Sequence, residues 1–122
     1  MTQIIAEIGW NHQGDISLAK EMIVAASENG ADYVKFQTWF EKDLKKGEWD
    51  EDGRREIYKK AQLTFDQHID LFEYSKKNNV NFFTSIFNKN YIEELSQISN
   101  EYIKIPSMEA CDFDLINESV KN

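Results

Sequence analysis

Charged residues occur inside three segments that otherwise have the composition of buried β-strands. Lys35 lies in residues 31–38, Lys104 in residues 102–107 and Glu7 in residues 4–9. An unpaired ammonium loses its hydration inside a sheet covered by helices, so we expect an anionic group beside each lysine. The pattern is more typical of a ligand site than of a core. Glu7 and Lys35 could instead form an ion pair with no further role, but this would leave Lys104 unexplained.

Hydroxyl and amide groups lie close to the lysines at the predicted strand ends. Gln37 follows Lys35, Ser107 follows Lys104, and Thr84 lies near the end of a third strand. Together such groups can orient a phosphorylated substrate, although a hydroxyl at a strand end is equally often only a cap. Glu109 lies just beyond Ser107 and is either a solvated loop carboxylate or a candidate general acid or base.

The two histidines do not form a recognisable metal site. His12 lies beside Asn11 in the first loop, where it could contact a ligand or hold the turn. His68 lies in the first turn of a predicted helix, and we expect it to be solvated. With one cysteine, Cys111, the chain shows no metal-ligand spacing. A glycine-rich phosphate loop and a Ser-His or Cys-His nucleophile pattern are also absent from the sequence.

Strand and helix patterns alternate along the chain. Strands are predicted at residues 4–9, 31–38, 80–85 and 102–105. A helix that can be capped by Asp15 or Ser17 follows the first strand and ends at Asn29 and Gly30. Further helices are predicted after the third and fourth strands. The chain therefore reads as four βα units in succession.

A long connection and a helix separate the second and third predicted strands. Residues 39–63 are highly charged, and a connection of that length is usually functional or locally helical. Thr64 and Gln67 match a capping box for the next helix. We expect the buried stripe of this helix to consist of Phe65, Ile69, Phe72 and the stem of Lys76.

The alternation of side chains distinguishes two architectures that repeated βα units can form. Three strands each present one face with polar members toward the strand end: Ile5, Glu7 and Gly9; Tyr33, Lys35 and Gln37; Val80, Phe82 and Thr84. This is more typical of a (β/α)8 barrel of the TIM type than of a doubly wound sheet. We predict that residues 1–122 form one domain, the N-terminal half of such a barrel. The parallel strands should lie in the order 1-2-3-4, with helices on the outer face only.

Composition excludes several classes of function. The 122 residues carry a net charge of −8 without any compensating basic run, which argues against sequence-independent binding of nucleic acid. No apolar stretch reaches the roughly 18 residues of a membrane span. The first strand leaves no room for a signal peptide, and the single cysteine permits no intrachain disulfide. We therefore expect a cytoplasmic protein that does not interact with membranes.

These same residues resemble motifs of the N-acetylneuraminate (sialic acid) synthase family. The similarity lies in residues 6–14, 30–38 and 104–109, three ordered motifs at compatible distances. Members of that family condense phosphoenolpyruvate with an N-acylated mannosamine-type sugar, form a nine-carbon 2-keto acid and release phosphate. The resemblance implies that this chain is the N-terminal half of the catalytic barrel of such an enzyme.

The resemblance also implies roles for individual residues. Phosphoenolpyruvate would be held by Lys35, Thr84, Lys104 and Ser107. Gln37 and Glu109 would contact the acyl-sugar, with Glu109 in or near the proton transfers, and Glu7 would lie beside the reacting centre. Asn11 and His12 belong to the first motif and are further candidate substrate contacts. One departure is visible in the third strand, which ends Thr84-Ser85-Ile86-Phe87 where many members carry a Ser-Thr-Pro-Phe-type sequence.

The resemblance implies a divalent ion, manganese or magnesium, whose ligands would lie on later strands that this chain does not include. Two other functions stay open. One is another phosphoenolpyruvate-using keto-acid phosphate synthase, although its phosphorylated substrate would call for more arginines than Arg54 and Arg55. The other is a half-barrel binding or assembly module without turnover. We expect the 122 residues alone to be inactive and to form a homo-oligomer through open strand edges.

Overall fold

Three parallel strands form the sheet in this computed structural model, which describes residues 2–98 and 102–121. The strands are β1 (Ile5–Gly9), β2 (Tyr33–Thr38) and β3 (Asn81–Ile86), in the order β1-β2-β3. Each is rich in β-branched and aromatic residues, which fit a pleated surface. The register places Glu7 beside Lys35 and Gln37 beside Ser85. The predicted parallel order is confirmed for these three strands.

Five helices connect and cover the strands in the part of the chain that the structure describes. They are α1 (Ile16–Glu28), α2 (Arg54–Ala61), α3 (Phe65–Lys77), α4 (Ile92–Ser96) and α5 (Phe113–Lys121). Asp15 caps α1 by accepting from the amides of Ser17 and Leu18, and Asn29 ends this helix. The Thr64 and Gln67 capping box of α3 is also present. These local signals were therefore readable from the sequence. None of the described helices is both long and apolar enough to cross a bilayer.

The main core lies between one face of the sheet and the helices α1 and α3. Val34, Phe36 and Phe82 point from the strands into this layer, where they meet side chains that include Ile23 and Leu71. Phe36 stacks on Phe82 with ring centroids 5.2 Å apart. The side chains of Glu7 and Lys35 lie on the opposite face of the sheet, since strand residues alternate between faces.

The fourth predicted strand is not a strand. Residues 102–105 make only a single parallel bridge to the sheet, between Ser85 and Lys104. Ile103 and Ile105 pack instead against a second apolar cluster around Leu115. Pro106 has no backbone N–H to donate to a neighbouring strand. The described sheet therefore has three strands rather than four.

The buried face of α3 differs from the predicted stripe. Its fully buried residues are His68, Leu71 and Ser75, whereas Ile69 is 39% exposed. Phe65 and Phe72 are only partly buried. The expectation that His68 is solvated is wrong, because this side chain is completely buried and hydrogen-bonded on both ring nitrogens.

The long connection between β2 and α3 is locally helical. Two short 3-10 turns, Glu41–Asp43 and Glu48–Asp50, precede α2. Arg55 ties the segment together, since its guanidinium pairs with both Glu41 and Asp50. These two carboxylates raise the pKa of Arg55 above its ordinary value, mainly through the hydrogen bond to Asp50.

Candidate active site

The carboxyl ends of the strands bring the predicted ionic groups together. Glu7 and Lys35 are direct neighbours on β1 and β2, and their side chains form an ion pair. The Lys35 ammonium also donates to the Ser85 hydroxyl, with Nζ and Oγ 3.1 Å apart. The side chain of Lys35 is only 12% exposed, whereas that of Glu7 is 48% exposed. The ammonium is thus placed with one neutral and one anionic partner at the end of the sheet.

Gly9, the last residue of β1, lies against the side chains of Glu7 and Gln37. Its φ of +59° is the left-handed conformation that favours glycine. A Cβ at this position would lie 3.1 Å from Glu7 Oε1 and 3.5 Å from Gln37 Nε2. A glycine therefore allows the chain to turn while Glu7 and Gln37 approach it closely.

Ser85 is the site residue that the sequence reading missed. The register pairs Lys35 with Phe83 and Gln37 with Ser85, which puts Ser85 on the site face and Thr84 on the helix face. The expectation that Thr84 shares a face with Lys35 is wrong. Thr84 is buried, and its hydroxyl lies 2.7 Å from that of Thr38. The sequence shows the two consecutive hydroxyl residues, and the observed register differs from the predicted alternation by one residue.

Lys104 approaches the same strand end by a different route. Its backbone bridges to Ser85, and its exposed ammonium donates to the carbonyl of Ile105 at 2.6 Å. Lys35 and Lys104 thus both adjoin Ser85, the first through its ammonium and the second through its main chain. Convergence of the two ammonium groups on one ligand stays a prediction.

An aromatic pocket of about 590 Å³ lies beside the Glu7, Lys35 and Ser85 group. Gln37 and Glu109 both line it. Its aromatic lining is contributed by Trp10, Trp39, Phe40, Trp49, Tyr58 and Phe87. Trp39 is held in place because its indole N–H donates to the carbonyl of Tyr58 at 3.2 Å. The pocket combines these aromatic walls with many polar and charged side chains. A cleft that offers both apolar surface and hydrogen-bonding groups is suited to a small polar molecule.

Glu109 is the buried carboxylate of this pocket. It ends the 3-10 turn Ser107–Glu109, which follows the buried Pro106. Its carboxylate lies 3.6 Å from the ammonium of Lys45, an exposed residue of the long connection. Ser107 is exposed at the start of the same turn. A nearly buried carboxylate that lines the pocket and contacts one exposed cation is a candidate general acid or base.

Asn11 and His12 hold the first βα turn. Asn11 donates from its side chain to the carbonyl of Ile8 at 2.9 Å. His12 is fully buried, and its Nδ1 accepts from the amide of Gly14 at 3.1 Å. Burial lowers the pKa of His12 below its ordinary value. Neither residue is among the described residues that line the pocket, so a substrate contact for them stays a prediction.

Among the described residues, no group of three or more potential ligands could hold a metal ion. Both histidines are buried, and each has at least one ring nitrogen in a hydrogen bond within the chain. The described residues therefore supply no divalent-ion site of their own, and no step of the chemistry below is assigned to one.

Parallel βα units with an ionic group at the strand ends define a class of α/β proteins whose ligands bind at that edge. The family described as "NeuB family" matches residues 22–122. The chain is 33% identical to the pseudaminic acid synthase of Helicobacter pylori over 98% of its own length and 38% of that protein. It is 36% identical to the N-acetylneuraminate-9-phosphate synthase of Drosophila melanogaster, over 95% of this chain and 34% of that one.

A solved structure gives the same result. The N-acetylneuraminic acid synthetase of Leptospira borgpetersenii, in complex with citrate, superimposes with a TM-score of 0.85 at 31% identity. The match covers 97% of this chain and 40% of that protein. The chain belongs to the NeuB family. It spans less than half the length of the relatives that it matches.

Proposed function

We propose that this chain supplies the N-terminal part of the active site of a sialic acid synthase-type enzyme. The enzyme would condense phosphoenolpyruvate with an N-acylated mannosamine-type sugar in the cytoplasm, where phosphoenolpyruvate is made. The observation that carries the proposal is the position of Lys35, held between Glu7 and Ser85 beside a pocket that contains Gln37 and Glu109. Within the proposal, residues 1–122 form half of a TIM-type barrel.

The strand-end group would bind phosphoenolpyruvate. This substrate carries a phosphate and a carboxylate, and charge-assisted hydrogen bonds to such groups are the strong ones. Lys35 and Ser85 already lie 3.1 Å apart, so one anionic oxygen can contact both. Lys104 would swing from the carbonyl of Ile105 to the same anion, with Ser107 on the neighbouring turn. Ser85 takes the place first given to Thr84.

The pocket would bind the sugar. In the condensation, the methylene carbon of phosphoenolpyruvate attacks the aldehyde carbon of the open-chain sugar. Water then adds at the carbon that bears the phosphate, phosphate leaves, and the aldehyde oxygen takes up a proton. Glu109 lies in the pocket where it can exchange this proton, and Gln37 can hold a sugar hydroxyl or the acyl group. Fixing both partners in attack geometry supplies much of the acceleration.

Charge pairing in the pocket favours a sugar without a phosphate group. Among the described residues, three cations line it, and each is paired within the chain: Lys45 with Glu109, Arg54 with Asp52, and Lys89 with Asp114. Arg55 is likewise engaged by two carboxylates. A phosphorylated aldose would have to open one of these ion pairs in addition to the pair of Lys35 and Glu7, and the sequence has no third arginine to take its phosphate. The proposed substrate is therefore an uncharged acyl-sugar rather than the phosphorylated aldose of the alternative enzyme class.

The test is the substitution Lys35→Met in the full-length gene product. Loss of one charge-assisted hydrogen bond costs about 1.5–3 kcal/mol, so the Kd for phosphoenolpyruvate should rise roughly ten- to a hundredfold. Binding is measured by isothermal titration with phosphoenolpyruvate, and turnover by phosphate release with N-acetylmannosamine and manganese.

Lys20→Met is the matched control. Lys20 is also an ion-paired lysine, but its partner is Asp70 on the helix side of the sheet. This variant should bind phosphoenolpyruvate like the unsubstituted protein. Equal binding by all three proteins would remove Lys35 from the site. Binding without phosphate release from any tested sugar would favour a binding module over a synthase.

A further inference from the structure

A row of buried polar side chains lies directly behind the proposed site, on the helix face of the sheet. The Thr84 and Thr38 hydroxyl oxygens are 2.7 Å apart, and Thr38 Oγ1 lies 2.7 Å from His68 Nε2. His68 Nδ1 is 2.8 Å from the carbonyl oxygen of Thr64. All three of the side chains in this row are at most 5% exposed. The row links the ends of β2 and β3 to the first turn of α3.

The carbonyl of Thr64, at the end of the row, determines which group donates in every hydrogen bond of the row. A carbonyl only accepts, so His68 Nδ1 must donate to Thr64. In a neutral imidazole Nε2 then has only a lone pair, and the Thr38 hydroxyl must donate to it. The Thr38 oxygen is left to accept from Thr84, whose alternative acceptor, the carbonyl of Ser85, is 3.5 Å away.

The neutral form of His68 is stabilised by its surroundings. Burial lowers the pKa of His68 to about 4, and the nearby His12 contributes in the same direction. The imidazole therefore carries no charge at neutral pH, and the row keeps one arrangement of protons. A row with a single arrangement is rigid, because no alternative pattern satisfies all of its donors and acceptors.

The row lies where it can set the geometry of the site. Thr38 directly follows Gln37 on β2, and Thr84 directly precedes Ser85 on β3. Gln37 and Ser85 are register partners on the site face, and Thr38 and Thr84 are bonded on the opposite face of the same two strand ends. Any shift of one strand end relative to the other would stretch the 2.7 Å contact and move Ser85 away from Lys35.

We infer that Thr38, Thr84 and His68 are positioning residues that fix Ser85 against Lys35 for binding of the anionic substrate. The inference rests on the proposed function for the identity of the ligand. The three residues act through the strand ends and contact no substrate themselves. Apolar side chains of similar size would fill the same space, but they would not fix the relative position of the two strands.

The tautomer of His68 tests whether the row exists. Long-range ¹H–¹⁵N correlation spectra of the 122-residue chain at pH 7 should show a protonated Nδ1 and an unprotonated Nε2. The opposite tautomer would overturn the inference, since Thr38 could then no longer donate to His68. This measurement requires no ligand and is independent of the proposed function.

Substrate affinity tests the positioning role. In the full-length gene product, Thr84→Val removes the hydroxyl and keeps the shape, and the Kd for phosphoenolpyruvate should rise about three- to tenfold, the equivalent of one net hydrogen bond. Thr84→Ser keeps the hydroxyl and should bind within about twofold of the unsubstituted protein. Ser75→Ala is the matched control, because Ser75 is a buried hydroxyl of α3 that donates to the carbonyl of Leu71 instead.

The thermal midpoint separates positioning from stability. Thr84→Val and Ser75→Ala should lower it by similar amounts, while only Thr84→Val weakens binding. Unchanged affinity in Thr84→Val, or equal weakening in Ser75→Ala, would overturn the positioning role. If the unsubstituted protein fails to bind phosphoenolpyruvate, the proposed function and the positioning role for this ligand both fail, while the tautomer still reports on the row.

Discussion

Lys35 combines two requirements that usually conflict. A buried ammonium needs a partner, yet a residue that binds substrate must be free to exchange it. The partner of Lys35 is Glu7, whose side chain is about half exposed, so water or an incoming anion can reach the pair. When Lys35 is replaced, the Glu7 carboxylate is left without its partner but remains about half exposed to water, so its charge stays hydrated. Substitution of Lys35 should therefore affect binding more than folding.

Acid sensitivity is the residue-scale prediction for His68. In the unfolded chain His68 takes up a proton below its ordinary pKa of 6.5, whereas the folded protein resists protonation down to about 4. Between these values the unfolded state binds more protons, so the contribution of His68 to stability is complete above pH 6.5 and is lost as the pH falls toward 4. The loss amounts to about 3 kcal/mol.

Urea denaturation of the 122-residue chain between pH 7 and pH 4 measures this effect. His68→Gln keeps a neutral hydrogen-bonding side chain that cannot titrate. We expect a smaller free energy of unfolding for this variant at pH 7 and a flatter decline toward pH 4. The same decline in both proteins would show that His68 does not contribute. The pKa of His12 is also lowered by burial, so some acid dependence should persist in the variant.

At the scale of elements, sequence patterns located the strands and helix caps but not every face. Asp15, Thr64 and Gln67 each act through neighbours within a few residues, and such local signals were read correctly. The face of β3 was not, because Phe82 and Phe83 are both apolar and Thr84 and Ser85 both carry hydroxyls. When neighbouring residues are of the same type, the alternation of apolar and polar residues that shows which face is buried is lost.

The face of α3 was misread for a related reason. His68 and Ser75 are polar, so a hydrophobic stripe excludes them. They are buried because Thr38 and the carbonyls of Thr64 and Leu71 satisfy their hydrogen bonds. One of these partners, Thr38, belongs to the strand β2, and no pattern within α3 indicates it. A polar residue that is buried because its hydrogen-bond partner lies on another element can thus be recognised only once the elements are packed together.

A steric prediction concerns the first βα turn. Gly14 and Gly30 both have φ of +83°, but a Cβ on Gly14 would lie 2.1 Å from the carbonyl oxygen of Lys60 at the end of α2. A Cβ on Gly30 would meet nothing within 4 Å. Gly30→Ala should cost about 1–2 kcal/mol from backbone strain alone. Gly14→Ala should cost about 1–3 kcal/mol more, because α2 must move.

Urea unfolding of the two variants gives this difference directly. Since the backbone penalty is common to both, the difference isolates the contact between the turn and α2. Equal destabilisation would mean that the turn and α2 can separate without cost. A larger effect at Gly30 would contradict the close approach itself.

At the scale of the whole molecule, apolar groups are left uncovered at one edge and on one helix. β1 has a paired neighbour on one side only among the described strands, and Ile4 and Ile5 at its start are 57% and 50% exposed. Phe113 and Val120 of α5 are 74% and 82% exposed. An open strand edge with apolar flanks is a template for pairing with another chain. The pseudaminic acid synthase that the chain matches is more than twice as long as this chain.

We therefore predict that the 122-residue chain self-associates and shows no synthase turnover by itself. Sedimentation velocity over a concentration series should show a dimer or larger species, and Ile5→Lys should shift the distribution toward monomer, because a charge on the edge opposes strand pairing. Ile57→Lys is the matched control, since Ile57 is similarly exposed at 42% but lies on α2, away from the edge. A stable monomer, or an equal shift in both variants, would contradict edge pairing. Phosphate release by the purified chain with phosphoenolpyruvate, N-acetylmannosamine and manganese would show instead that these residues form a complete active site.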